Sequence, residues 1–241
     1  MKAIITGMNG TVAPYVYDEL RNQNIDVIIW DRTQTDIHLE AAVHAYISEH
    51  QPDLFFHIAT GPIEWVEAIA KSTQALGIKL LFTSTVSVFS EKGSGPYTRV
   101  SVPDSEEEYG KYKIECEKII QKYHHNAIIL RLGWQIGPHA RPNNMFHYLI
   151  QQHQDKGYIE ASSKWYPSCS FLEVSAHAIV DCALNFMPGV YLVNSNQRYS
   201  FFEIVTKLNQ RYQMNWTIKE TTSFKRDDRM MDSRVRVEEL F

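Results

Sequence analysis

Short apolar runs and amphipathic stretches alternate along the first half of the chain. Residues 2–6 (Lys-Ala-Ile-Ile-Thr) form a brief apolar run that breaks at Gly7 to Gly10. Residues 13–23 follow with Val16 and Leu20 at helical spacing, and 25–30 form a second apolar run ended by Asp31-Arg32. The order then repeats, with a helix over 38–50, a strand over 53–59 behind Pro52, a helix leading to Gly77 and a strand over 78–84. A polar stretch over 91–104, carrying two glycines and two prolines, predicts a loop before a long helix at 106–123 and a fifth strand at 127–132. Short strands that are apolar throughout, separated by amphipathic helices, belong to a parallel sheet covered on both faces. Right-handed crossovers make such a sheet doubly wound, so the expected class is α/β with a Rossmann-type parallel sheet.

Beyond Gly133 the pattern loosens into helices near 143–154 and 173–186, a strand at 190–193 and a helix at 200–212. The reading is a main unit over 1–138 and a small α/β lobe over 139–241, partly interleaved with it. Such a sheet binds its ligands outside the carboxyl ends of its strands, where the lobe is expected to pack.

Composition narrows the function classes. The 241 residues include 44% hydrophobic ones, enough for a sizeable core, and 24 basic residues stand against 28 acidic for a net charge of -4. No concentrated basic face is present to neutralise phosphates, so nucleic acid is not an expected partner. No run approaches the ~20 apolar residues of a membrane span, and Met1-Lys2 leaves no room for an apolar signal core. Cys116, Cys169 and Cys182 lack metal or redox spacing, which points to a reducing compartment and a soluble, cytoplasmic protein. The ten histidines, His124-His125, His139, His147 and His153 among them, form no helical ligand pair, so no metal is expected.

The loop after the first strand reads Thr6-Gly7-Met8-Asn9-Gly10-Thr11-Val12-Ala13. Glycine there permits positive φ and close approach of the backbone to a phosphate, and the following helix presents free N–H groups and its positive dipole end. An ordinary strand-to-helix turn is the alternative, but this position after a first strand is the context a dinucleotide site demands. Gly7, Asn9, Gly10, Thr11 and Val12 are therefore candidate cofactor contacts. Asp31 ends the second strand, where a carboxylate bonds a ribose 2′-hydroxyl, whereas Arg32 beside it suits a 2′-phosphate. The cofactor is thus NAD or NADP, with the choice open.

Tyr109 and Lys113 lie one turn apart on one face of the long helix. A tyrosine titrating near pKa ~10 is a poor acid at neutral pH, and a neighbouring ammonium is expected to lower that value and make it a proton donor to a carbonyl. Thr85, in Ser84-Thr85-Val86-Ser87, ends the fourth strand and offers a hydroxyl to the same carbonyl.

With these residues in hand, the chain resembles the extended short-chain dehydrogenase/reductases, and among them the dTDP-4-dehydrorhamnose reductase group of nucleotide-sugar reductases. The resemblance is carried by the loop at 6–13, Asp36-Ile37, Gln51-Pro52-Asp53, STVSVF at 84–89, EYGKYKIECE at 108–117 and LRLGWQIGP at 130–138. It continues faintly through 189–205 and the Arg229-to-Arg234 tail. It implies catalysis by Thr85, Tyr109 and Lys113, with hydride from the nicotinamide and a proton from Tyr109. It implies cofactor contacts at Asp36, Ile37, Ala59, Thr60, Gly61 and Gly133, and substrate contacts at Val86, Ser87, Trp134, Asn143 and Asn144. The implied partner is a nucleotide sugar, with a homodimer through the long helix compatible with the fold.

Two departures stand out. Only Gly61 to Leu76 separates the third and fourth strands, with no asparagine in it, where the group carries a longer segment with one. The third strand also ends His57-Ile58-Ala59-Thr60-Gly61 rather than in an alanine run after asparagine. The competing readings are a non-catalytic dinucleotide-binding subunit, and an epimerase or dehydratase. The latter needs a further acid or base, and Val86-Ser87 offers no carboxylate. Trp165-Tyr166-Pro167 can stack on a base or anchor the lobe. Arg226, Arg229, Arg234 and Arg236 can grip a pyrophosphate or form a solvated tail.

Overall fold

A computed structural model describes residues 1–138, 141 and 143–241. His139 therefore lies outside the described residues. Six strands form one parallel sheet: β1 (Lys2–Ile5), β2 (Asp26–Ile29), β3 (Leu54–His57), β4 (Lys79–Thr85), β5 (Ile128–Leu132) and, from beyond the main unit, β10 (Gly189–Val193). Their order is β10-β5-β4-β3-β1-β2. This is the doubly wound Rossmann-type α/β arrangement, with β1 between β3 and the edge strand β2 and its register set by Ile4 opposite both Ile28 and Phe55.

Alternation along β1 sends its side chains to two cores. Ala3 and Ile5 join Val16 and Leu20 of α1 (Ala13–Asn22) and Ala176 and Ile179 of α6 (Leu172–Asn185). Ile4 faces Val43 of α2 (Glu40–His50), Trp65 and Ile69 of α3 (Ile63–Ala75) and Ile120 of α4 (Glu108–Tyr123). Residues of strands buried on both faces have no polar side to display, which is why these runs read as continuously apolar.

Two features fix α4. Glu117 forms a bidentate pair with Arg131 of β5 at 3.0 and 2.7 Å, both side chains only 5% exposed. A Cβ on Gly110 would lie 2.1 Å from Ser105 Oγ and 2.3 Å from Ser87 O, so only glycine lets the start of α4 approach the end of β4. The outward residues of α4 (Lys111, Glu115, Lys118 and Lys122) are charged and exposed.

The lobe contains three short parallel pairs. They are β6 (Trp134–Ile136) with β9 (Cys169–Phe171), β7 (Ile159–Ser162) with β11 (Ile218–Thr221), and β8 (Trp165–Tyr166) with β12 (Arg226–Asp227). They pack with α5 (Met145–Lys156) and α7 (Phe201–Tyr212) around Phe146, Leu149, Ile204, Leu208 and Trp216. Ser200 and Glu203 form a reciprocal capping box at the start of α7. No helix of the described residues is long and apolar enough to cross a membrane. Cys116, Cys169 and Cys182 are all buried and unpaired.

Candidate functional site

A cleft of about 1100 Å³ opens between the carboxyl ends of β1 to β5 and the lobe. Its floor at one end is the glycine loop. Gly7 adopts φ +92°, and a Cβ there would come within 3.0 Å of the Ala59 backbone nitrogen. Gly10 N–H donates to Gly7 O at 2.7 Å, closing the turn. Val12, the N-cap of α1, makes no side-chain cap; Pro14 brings no N–H, and the N–H groups of Tyr15 and Val16 donate to Val12 O at 3.1 and 3.2 Å. The loop and helix start thus fit the pyrophosphate of a dinucleotide, with Met8, Asn9, Thr11 and Val12 all on the cleft wall.

At the end of β2, the Asp31 carboxylate accepts from Thr33 N–H at 2.8 Å, Thr33 Oγ1 at 2.7 Å and Gln34 Nε2 at 3.2 Å. These bonds, the Thr33 backbone first, hold it below the usual carboxylate range. The Arg32 guanidinium lies over the Trp65 ring at 4.7 Å and donates to Thr60 O.

At the other end of the sheet, Thr85, Tyr109 and Lys113 line the same cleft. Thr85 Oγ1 caps the 3-10 turn Val86–Val88, accepting from Ser87 N–H at 3.1 Å and donating to Ser87 Oγ at 3.2 Å. Lys113 is 2% exposed, and its Nζ donates to Thr83 O at 2.8 Å. Burial lowers its pKa to about 8. The expectation of a lowered tyrosine is corrected here. Burial, with a smaller contribution from Cys116, raises the Tyr109 hydroxyl above its ordinary value. The Lys113 ammonium is turned to the Thr83 carbonyl, 6.0 Å from the Tyr109 ring centre, too committed to offset that burial. Beneath them His57 is fully buried, its Nδ1 3.1 Å from Thr6 Oγ1 and its Nε2 without a partner among the described residues. Burial first, then Lys113 and Arg32, push its pKa down to about 3.

The cleft gathers Gly7, Asn9, Gly10, Thr11, Val12, Asp31, Arg32, Ala59, Thr60, Gly133, Val86, Ser87, Trp134 and Asn143 with the three residues above. Four expected contacts lie off its wall. Asp36 accepts from His38 N–H at 2.9 Å in its own turn, and Ile37 packs against the core beside Trp30. Gly61 abuts Trp65 and donates its N–H to Tyr112 Oη at 3.0 Å. Asn144 caps α5, accepting from the N–H groups of Phe146 and His147. Each has a local structural partner that a motif does not reveal.

The lobe adds wall residues whose role the sequence left open. Trp165 and Arg226 line the cleft, as does Asp228, which the sequence did not single out. The tail is bonded to other elements: Arg229 Nη1 donates to Gln197 O at 2.6 Å, Arg234 Nη2 to Val190 O at 2.7 Å and Met231 N–H to Tyr97 O at 2.8 Å. Gln135, Ser84 and Ser168 were also missed as lining residues. Each carries a buried polar atom without a partner among the described residues (Gln135 Oε1, Ser84 Oγ, Ser168 Oγ), a signal that exists only in three dimensions. Among the described residues no group of three His, Cys, Asp or Glu is placed to hold a metal ion.

Residues 63–225, which carry Thr85, Tyr109, Lys113, Trp134 and Trp165, match the RmlD substrate binding domain. The chain belongs to that family. The chain is 22% identical over 238 residues to the spore coat polysaccharide biosynthesis protein SpsK of Bacillus subtilis, covering 92% of this chain and 83% of that protein. It is 27% identical over 154 residues to methionine adenosyltransferase 2 subunit beta of Xenopus tropicalis, 54% of this chain and 46% of that protein, so that match spans about half of the relative. In three dimensions the RmlD-family fold superposes on dTDP-4-dehydrorhamnose reductase from Bacillus anthracis, solved in complex with NADP. The TM-score is 0.84 at 19% identity, covering 99% of this chain and 94% of that one.

Proposed function

We propose that the chain catalyses the NAD(P)H-dependent reduction of a keto group on a nucleotide-linked sugar. The observation that carries the proposal is a single cleft lined both by the glycine loop and by Thr85, Tyr109 and Lys113. Membership of the RmlD family supports it, as does the likeness to a reductase solved with NADP. We assign the cofactor to the six-stranded unit and the sugar to the lobe.

When bound, the nicotinamide supplies the hydride that the carbonyl carbon accepts. Tyr109, whose hydroxyl is protonated at neutral pH with its pKa shifted further above the ordinary value, gives its phenolic proton to the carbonyl oxygen. Thr85 presents a hydroxyl hydrogen bond to that oxygen once it releases Ser87. Lys113 is held by the Thr83 carbonyl and stabilises the phenolate left behind. The three unpaired, buried cysteines suit a reducing, cytoplasmic setting.

The test is Tyr109→Phe. It should lose activity by about 10²-fold or more while binding NADPH as the parent does. Retained turnover removes Tyr109 as the acid. A second reading, a cofactor-binding subunit without turnover, draws on α3, which contributes no residue to the cleft, and on the likeness to an adenosyltransferase subunit. Cofactor binding with no oxidation across a panel of keto sugar nucleotides favours it.

A further inference from the structure

The lobe's wall of the cleft is built on the β8–β12 pair, which sets Trp165 beside Arg226. Asp228 follows β12, and its backbone N–H donates to Tyr166 O at 2.9 Å. Its carboxylate is held at both oxygens. Oδ2 accepts from Trp165 Nε1 at 2.7 Å, and Oδ1 accepts from Arg226 Nε. Arg226 is completed by Glu91, whose Oε1 lies 2.9 Å from Nη1.

The charges decide what this wall can hold. One guanidinium lies between two carboxylates, so it has no uncompensated positive charge for a diphosphate. Arg229 and Arg234, the other cations nearby in the chain, are neutralised by Asp227 and Asp232 in the same way. What remains toward the cleft is hydrogen-bonding capacity rather than charge. Arg226 Nη2 has no protein acceptor among the described residues, and each Asp228 oxygen accepts only one protein hydrogen bond. Ser168 Oγ, on the same wall, is buried without a partner among the described residues.

The indole of Trp165 is braced by Phe201 at 4.6 Å and Phe224 at 5.2 Å, with Trp134 at 6.1 Å. A fixed aromatic surface beside a fixed donor–acceptor pair matches a pyranose ring. The ring has an apolar C–H face, and its adjacent hydroxyls both donate and accept.

We infer that Trp165, Arg226 and Asp228 form a subsite that reads the hydroxyls of the substrate's sugar ring, and that the diphosphate lies elsewhere in the cleft. The inference deepens the nucleotide-sugar reading and rests on it. The subsite sets specificity, and the reaction itself stays with Tyr109.

The experiment uses the full chain saturated with NADP and follows tryptophan fluorescence during titration with dTDP, dTDP-rhamnose and dTDP-glucose. At least one sugar nucleotide should bind about tenfold or more tighter than bare dTDP. Asp228→Asn and Arg226→Gln should each erase that increment while leaving the affinities for dTDP and NADPH unchanged. Trp165→Phe, which keeps a ring and loses the N–H, should reduce the increment, and it serves if either other variant fails to fold. The subsite is overturned if the parent shows no increment, if the variants retain it, or if they weaken dTDP as much as the sugar nucleotide. If the parent binds NADPH but none of the three probes, the nucleotide-sugar reading itself fails and the subsite falls with it.

Discussion

Burial drives Lys113 and Tyr109 toward their neutral forms together, the lysine down to about 8 and the tyrosine up. Lys113 is charged below that value and neutral above it. The rate of carbonyl reduction, as kcat/KM, is therefore expected to fall as pH rises through about 8. A profile flat to pH ~10 would dissociate Lys113 from the chemistry. At the far end of the cleft, the acceptor capacity of Asp31 is largely taken by Thr33 and Gln34, while Arg32 is braced on Trp65. Arg32→Ala should therefore weaken NADPH about tenfold or more and NADH much less, measured as two dissociation constants. His57 adds a stability term. Its folded pKa of about 3 lies below the ordinary 6.5, so the stabilisation is present above pH 6.5 and is lost as pH falls toward 3. The size is on the order of 4 kcal/mol, and urea midpoints at neutral and acid pH, compared with His57→Gln, measure it.

At the scale of elements, the helix that carries Tyr109 and Lys113 depends on the buried Glu117–Arg131 pair. Glu117→Ala leaves a buried guanidinium uncompensated and should cost about 3–5 kcal/mol in urea denaturation. Removing Glu106 from its exposed pair with Lys92 should leave the urea midpoint nearly unchanged. The main sheet was legible because strands buried on both faces leave long apolar runs, as at 78–84 and 127–132. The lobe's pairs were not. Trp165–Tyr166 and Arg226–Asp227 are two residues each, too short for any periodicity, and they meet only because the chain folds back over the cleft. For the same reason Gly7, Thr85, Tyr109 and Lys113 could be singled out from local motifs, whereas Asp228 could not. Its place on the cleft wall comes from a partner some sixty residues away in sequence, Trp165. Asp36 and Asn144 illustrate the opposite case, motif positions that the chain uses for turn and cap bonds.

At the scale of the molecule, hydrogen bonds tie the residues on the two sides of the cleft together. Arg141 reaches Asn9 O at 3.0 Å, and the segment at 95–97 pairs with 227–231 through Gly95 N–H to Asp227 O at 2.8 Å and Tyr97 N–H to Arg229 O at 2.7 Å. A dinucleotide spanning the glycine loop and Lys113 would add contacts that the unfolded chain lacks. At a hundredfold excess over its dissociation constant it should stabilise the fold by about 2.7 kcal/mol and raise the melting midpoint by roughly 5–10 °C. The most direct test of the whole account is nicotinamide oxidation by the purified chain, offered NADPH or NADH with a panel of 4-keto nucleotide sugars and followed by loss of nicotinamide absorbance. One sugar nucleotide should be reduced with stoichiometric cofactor oxidation, and Tyr109→Phe should stop it. Failure of either cofactor to bind would contradict the reading of the glycine loop, and binding without oxidation across the panel would contradict the assignment of a reductase.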